Sequence, residues 1–306
     1  MMRIFGATIC AFLLIAGFAS AQSADDIAAL KARQLFKMGD YAGALAIAQP
    51  LAEKGHPRAQ TLLGVMTELG SGLPADTVRA VELYRAAAEQ GYAPAMHNMG
   101  FSYETGLGGL VEDKAMAREW YWKAVAQDYG PSLHNLALFL FEGTGGPKDP
   151  ETALALFERS YTIGDPEGTA WLAYMLATGD GAEIDLPRAR KLYEIAAAHG
   201  IDWAERDYGE MLELAEGGPS DLVRAKEFYQ RAVAQDNAMA GFDIFEMAQA
   251  NPEAFPDKVE ALAYCLWAEP FPPMWDGSDY DGKCDAAAAA LSAEDVAKAK
   301  AMAEGL

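Results

Sequence analysis

Asp113-Lys114-Ala115-Met116-Ala117-Arg118-Glu119-Trp120-Tyr121-Trp122-Lys123-Ala124 is the stretch on which the fold turns. An aspartate is followed by alanine at the fourth residue, an aromatic at the eighth and alanine at the eleventh. These offsets trace one face of a helix. An aspartate just ahead of that face reads as an N-cap, accepting from an unpaired helix N–H at the positive end of the dipole. The pattern is periodic. Aspartates stand at Asp40, Asp76, Asp113, Asp149, Asp185, Asp221 and Asp257, at intervals of 36, 37, 36, 36, 36 and 36 residues. Ala44, Ala80, Ala117, Ala153, Ala189, Ala225 and Ala261 keep the fourth position. Tyr84, Tyr121, Phe157, Tyr193 and Tyr229 keep the eighth. A period of this length marks a stacked helix–turn–helix array.

Each capped helix, here termed B, is expected to end at Gly55, Gly91, Asp128, Gly164, Gly200 or Asp236, residue types that tolerate the left-handed C-cap conformation. A second helix, A, fills the first half of each unit. Ala95-Met96-His97-Asn98-Met99-Gly100-Phe101-Ser102-Tyr103 shows it, and residues 132–141 and 168–177 echo it. Gly64, Gly100, Ala137, Ala173 and Gly209 supply a small residue where the partner helix crosses closely. From A to B runs a glycine-punctuated turn: Gly70-Ser71-Gly72, Gly106-Leu107-Gly108, Gly143-Thr144-Gly145, Gly179-Asp180-Gly181, with Gly217 alone in the fifth unit. These turns resemble phosphate cradles, but they lack both the lysine of a P-loop and the strand that precedes a dinucleotide fingerprint, so they read as turns.

Asn98-Met99-Gly100-x-x-Tyr103, the G-x-G turn, Asp113 and Ala117-Arg118-Glu119-Trp120-Tyr121-Trp122-Lys123-Ala124 together resemble the Sel-one-like repeat family. These repeats are relatives of the tetratricopeptide repeat, with a slightly longer unit. The resemblance covers residues 58–237 as five well-formed units, with worn units over about 25–57 and 238–269, where Ala48 and Cys265 replace the aromatic. It implies an all-α fold, a right-handed α/α solenoid of 36-residue helix–turn–helix repeats. Some exported relatives regulate sensor kinases or help assemble polysaccharide export complexes. A branch of the family carries a cysteine pair in every repeat; this chain does not, so that branch's activities are not carried over.

Composition agrees with a helical array. Hydrophobic residues make up 51% of the 306 residues, with alanine dominant, which favours helices in close contact through small side chains. Arg3, the uncharged apolar stretch 4–18 and Ala19-Ser20-Ala21 read as a signal peptide removed after Ala21. An uncleaved anchor is the alternative, but the stretch is shorter than the ~20 residues needed to span a bilayer. Cys10 lies inside it, preceded by Ile9 where a lipid-anchor signal wants a small residue. The expectation is a periplasmic or secreted protein with no stable membrane insertion after cleavage. The formal net charge of −21 would repel a phosphate backbone or an anionic bilayer, arguing against nucleic acid.

Cleavage leaves Cys265 and Cys284. In an oxidising compartment such a pair reads as a disulfide, the alternative being two buried free thiols. At that loop length a bridge contributes ~3 kcal/mol in the chain-entropy model. Further on, the Glu269-Pro270-Phe271-Pro272-Pro273 cluster stops the repeat, and residues 274–283 are expected as a polar-aromatic loop. Asp279-x-Asp281-Gly282 resembles a fragment of a calcium loop, without the third ligand or terminal glutamate, and reads as an ordinary turn. Ser292-x-x-Asp295 opens a last helix, and alanine-rich residues 286–304 are expected to cap the array. The expected organisation is a leader at 1–21, a solenoid at 22–269, and a C-terminal loop and capping helix at 270–306.

Little in the sequence speaks for catalysis. No serine or cysteine has a motif-placed base, and carboxylates are too abundant for any two to be singled out as acid and base. His97 and His134 occupy equivalent positions in adjacent repeats, each followed by Asn. A two-histidine metal site and simple repeat ancestry are both compatible with that; spacing supplies no third ligand, so no cofactor or metal is expected. In tetratricopeptide-like solenoids the A helices line the concave side, and the positions not used in packing face a ligand. By register these are Glu68, His97, Phe101, Glu104, His134, Leu138, Phe141, Tyr174, Arg206 and Glu213. Aromatics among them suit a protein or peptide partner; equally, Phe101, Leu138, Phe141 and Tyr174 could complete the core. The leading expectation is a scaffold or regulator holding a segment of another envelope protein in the concave groove. The alternatives are a cell-wall-active hydrolase, and a peptidoglycan- or glycan-binding protein.

Overall fold

The computed structural model describes residues 23–271 and 280–306, and among them all regular structure is helical, as sixteen α-helices and one 3₁₀ turn. The leader with its cleavage site and Cys10, the segment 272–279, and Asp279 of the calcium-like fragment lie outside the described residues. Two compact units divide between Asp113 and Lys114. The first holds α1 (Ala24–Lys37), α2 (Tyr41–Glu53), α3 (Pro57–Leu69), α4 (Thr77–Glu89), α5 (Ala93–Thr105) and the 3₁₀ turn Leu107–Gly109. The second holds α6 (Lys114–Val125), α7 (Pro131–Glu142), α8 (Pro150–Thr162), α9 (Pro166–Thr178), α10 (Leu186–Ala198), α11 (Asp202–Glu213), α12 (Leu222–Val233), α13 (Ala238–Ala250), α14 (Lys258–Ala268), α15 (Tyr280–Ala289) and α16 (Ala293–Ala303). Within each unit successive helices pack on one another as far as α15, and α16 packs back on α14; A helices α1 and α3, α7 and α9, and α11 and α13 also touch directly.

The periodic aspartates begin the B helices. Asp40, Asp76, Asp149, Asp185, Asp221 and Asp257 each accept from the N–H three residues on, at 2.9–3.1 Å. The B helices close where glycine or aspartate adopts positive φ, including Asp128 at 55° and Asp236 at 63°. In the worn turn of the fifth unit Ala215 takes that conformation, with φ 59°.

Both recurring small positions are explained by contact. Tyr84 and Tyr229 are almost completely buried. A Cβ added to Gly64 would lie 2.5 Å from the Tyr84 ring, and one on Gly209 would lie 2.8 Å from Tyr229. The aromatic of helix B therefore lies against the backbone of helix A, which any side chain there would push away. The second glycine of each turn docks on the first residue of the preceding B helix. At Gly108 a Cβ would come 2.6 Å from the Thr77 carbonyl oxygen, and Gly145, Gly181 and Gly217 meet Lys114, Pro150 and Leu186 likewise. Arg118 and Arg190 tie down the following turns by donating to the carbonyls of Pro147, at 2.9 Å, and of Glu216 and Pro219, at 3.1 and 2.8 Å. The space a phosphate would need is occupied by the neighbouring helix.

At the C-terminus the structure corrects the expectation. Residues 280–283, read as loop, open α15, and the cap is two helices rather than one. Cys265 and Cys284 are joined in a disulfide with Cα atoms 5.7 Å apart. Phe242, Phe245, Leu262, Cys265, Cys284 and Ala299 form one buried cluster, with Leu291 and Val296 packed on it. The bridged α15 and Ser292-capped α16 supply apolar side chains to the last repeat, which has no further repeat to cover it.

Candidate functional site

Helix A carries two kinds of position, and the B-helix aromatic separates them. Four residues after the small position stand Glu68, Phe141 and Glu213, and each answers the ring below it. The Tyr84 hydroxyl donates to Glu68 at 2.6 Å, and that of Tyr229 to Glu213 at 3.0 Å. Phe157, with no hydroxyl, stands where Phe141 replaces the acid. Glu68 and Glu213 are thus engaged by buried tyrosines, whose hydroxyls would otherwise lack an acceptor. Burial raises the Glu213 carboxyl, and hydrogen bonding from Tyr229 opposes that.

In the first unit Phe101 is 42% exposed, and His97 and Glu104 are half-buried with polar or electrostatic contacts of their own. Burial depresses His97 to about 4, so its imidazole is neutral at physiological pH. His134, in the second unit, is also depressed by burial, against the pull of Asp165 and Glu167. Its Nδ1 lies 4.0 Å from Asp165, and its ring packs edge-on to Phe157. Asn135 donates to the Tyr121 hydroxyl at 3.1 Å. No group of three or more His, Cys, Asp or Glu suited to a metal occurs among the described residues.

The second unit brings the remaining candidates together on the face formed by α7, α9, α11 and α13. Leu138 and Phe141 come from α7, Trp171 and Tyr174 from α9, and Trp203 from the start of α11, all half-buried. Trp171 is the hub. Its ring centroid lies 5.7 Å from Phe141, 5.6 Å from Tyr174 and 5.4 Å from Trp203. Beneath them, Phe157 stacks on Trp171 and Tyr193 meets Trp203 edge-on. Neither tryptophan was anticipated from sequence. The available signal was that Trp171 interrupts a register held by Asn98 and Asn135 in the preceding repeats.

That register then changes chemistry. Where α9 carries Trp171 and Tyr174, α11 carries Asp207 and Glu210, and α13 carries Asp243 and Glu246. Arg206 lies among them, its Nε 2.6 Å and Nη2 3.3 Å from the two Asp243 oxygens and its Nη1 3.4 Å from Asp207. Burial pushes Asp207 up to about 6 despite Arg206 and a hydrogen bond from Tyr193, with Glu210 and Asp243 adding repulsion. Asp243 is likewise raised by burial to about 6, opposed by Arg206 and reinforced by Glu210 and Glu246. Although burial works against its charge, Arg206 is held protonated by Asp243 and its acidic neighbours. Lys283 of α15 reaches Glu246 from the side. This face offers aromatic surface and unbalanced negative charge.

The Sel1 repeat model matches residues 57–92, 93–129, 130–165, 166–201 and 204–237. Among solved structures, a Sel1 repeat protein from Oxalobacter formigenes is 27% identical with a TM-score of 0.70, the match covering 84% of this chain and 100% of that one. A protective antigen present in uropathogenic Escherichia coli strains, c5321, displays an SLR fold and is also 27% identical, with a TM-score of 0.75. That match covers 91% of this chain and 60% of c5321. No curated protein matches the chain.

Proposed function

This chain belongs to the Sel1 repeat family, and on that premise we propose that it is an exported scaffold holding a segment of another envelope protein against the A-helix face of its repeats. Sel1 repeat proteins are in general non-catalytic scaffolds for protein–protein interaction. The observation that carries the reading to this chain is the run Phe141, Trp171, Tyr174 and Trp203 on three consecutive A helices, partly open to solvent. Aromatic side chains bring large contact area at low entropic cost, which is why they dominate binding hot spots. Export rests on the leader at 1–21 and on the Cys265–Cys284 bridge, which an oxidising compartment preserves. No described helix is long and apolar enough to cross a membrane.

Site-specific photo-crosslinking in cells tests the reading. A crosslinker replacing Tyr174 should give a discrete protein adduct, and one replacing exposed Lys191 on α10 should not. Equal adducts at both positions, or none at Tyr174, would defeat it. N-terminal sequencing of protein from the envelope fraction should begin at Gln22; retention of Met1 would remove export. A second reading, glycan binding, is favoured by the same tryptophans, since sugars stack on aromatic faces; muropeptide titration followed by tryptophan fluorescence checks it.

A further inference from the structure

We propose that the segment held by the second unit is cationic, an arginine- or lysine-bearing peptide whose apolar side chain lies on Trp171 and Trp203 while its basic group meets the carboxylates of α11 and α13. This inference rests on the protein-binding reading above and specifies the partner's chemistry.

The argument begins with the register. Residues 36 apart on successive A helices occupy the same place on the face, so Trp171, Asp207 and Asp243 form one row, and Tyr174, Glu210 and Glu246 the next. Each row runs from aromatic to acidic. A ligand lying across α9, α11 and α13 therefore passes from an apolar surface to an anionic one, and its own side chains must change in the same order.

Charge then selects the sign. Five acids, Asp207, Glu210, Glu213, Asp243 and Glu246, face three cations, Arg206, Lys283 and, across the cleft beside Glu246, Lys258. Arg206 is spent on Asp243 and Asp207, and Lys283 on Glu246. The excess is negative, and burial, reinforced by mutual repulsion, holds Asp207 and Asp243 above the ordinary carboxylate range. An incoming guanidinium or ammonium relieves that repulsion, and the neighbouring rings add a cation–π surface. A neutral glycan would use the rings and leave the repulsion in place. The overall charge of −21 steers basic partners in the same direction.

Shape agrees. Glu246 and Gln249 continue the face into a cleft of about 680 Å³ between α13 and α15. Lys258 and Lys283 join Glu246 in its lining, and Ala286, Ala290 and Leu291 form the far side, so it suits an uncharged end of the segment while the basic group stays on the acidic rows. The cleft gives the end of an extended segment somewhere to lie beyond the acidic rows, and the disulfide tethers its far wall to α14.

Random dodecapeptides displayed on phage, selected on the immobilised mature protein and counter-selected on Trp203→Ala, provide the test. The expected winners carry Arg or Lys within a few residues of an aromatic or leucine. Their synthetic versions should bind about tenfold more weakly to Asp207→Asn/Glu210→Gln protein, and about fivefold more weakly on going from about 50 to about 500 mM NaCl. The salt measurement needs only wild-type protein, so it stands even where a variant folds poorly. Winners without basic residues, or binding indifferent to salt and to the acid variants, overturn the cationic assignment and leave the protein-binding reading intact. Recovery of no peptide overturns both, and is separated from a glycan site by fluorescence titration with muropeptides in parallel.

Discussion

Replacing Arg206 with methionine keeps much of the side-chain volume and removes the one guanidinium among the carboxylates of α11 and α13. Arg206 and Asp243 are about four-fifths buried, with side chains 21% and 20% exposed. Removing one partner of a buried pair costs about 3–5 kcal/mol; partial exposure here reduces that to roughly 2–4 kcal/mol at about pH 7.5. Asp243 then loses its guanidinium partner beside Asp207, Glu210 and Glu246, and must bear its charge there or take up a proton, either of which costs stability at that pH. The pH dependence follows from linkage. Asp207 and Asp243 already stand at about 6 in the folded protein, above the unfolded value, so the folded state binds the extra protons. Their contribution to stability is therefore most favourable near pH 4 and is lost as pH rises through 6. Without Arg206 both shift further up, and at about pH 5 they are neutral. Most of the penalty should then vanish. Thermal unfolding followed by circular dichroism should show Arg206→Met melting roughly 5–15 °C below wild type at about pH 7.5, and within a few degrees of it at about pH 5. Adding Asp243→Asn should recover at least half of the loss at the higher pH. A loss of equal size at both pH values, with no recovery in the double variant, would mean that Arg206 acts through packing, and the electrostatic account of this face would be refuted.

Three further outcomes are expected. Gly108→Ala should destabilise the first unit by about 2–4 kcal/mol in urea unfolding, because φ is +65° and the new Cβ would meet the Thr77 carbonyl oxygen at 2.6 Å. Tyr229→Phe removes the hydroxyl that Glu213 accepts and should cost about 1 kcal/mol; since burial already raises Glu213, the loss should be greater at neutral pH than at pH 5. Cys265→Ser should loosen α15 and α16, a bridge of this loop length contributing about 3 kcal/mol, seen as faster hydrogen exchange over residues 280–303 with α7–α12 unchanged.

The repeat architecture was legible residue by residue because its determinants are local. An aspartate caps the helix that starts beside it, a glycine or aspartate closes one through its own φ, and an alanine–aromatic stripe declares a buried face within eleven residues. Asp40 through Asp257, the C-caps from Gly55 to Asp236 and the small crossing position at Gly64 could all be read in one dimension, though not that Tyr84 is what crosses there. The start of α15 could not. Nothing local in Tyr280-Asp281-Gly282-Lys283 favours a helix over a turn; the turn there competes with docking on α14 through Cys284. The face of the second unit also needed three dimensions. Glu68 and Glu213 read as free ligand positions until a tyrosine sixteen residues away was seen to donate to each. Trp171 and Trp203, in different registers of different helices, become one surface only when α9 and α11 are stacked. Sequence alone determined which residues repeat, since repetition records helix geometry and capping. Tertiary structure decided what the non-repeating residues do together, since their chemistry depends on neighbours one repeat away, a distance that hydrophobic periodicity cannot span.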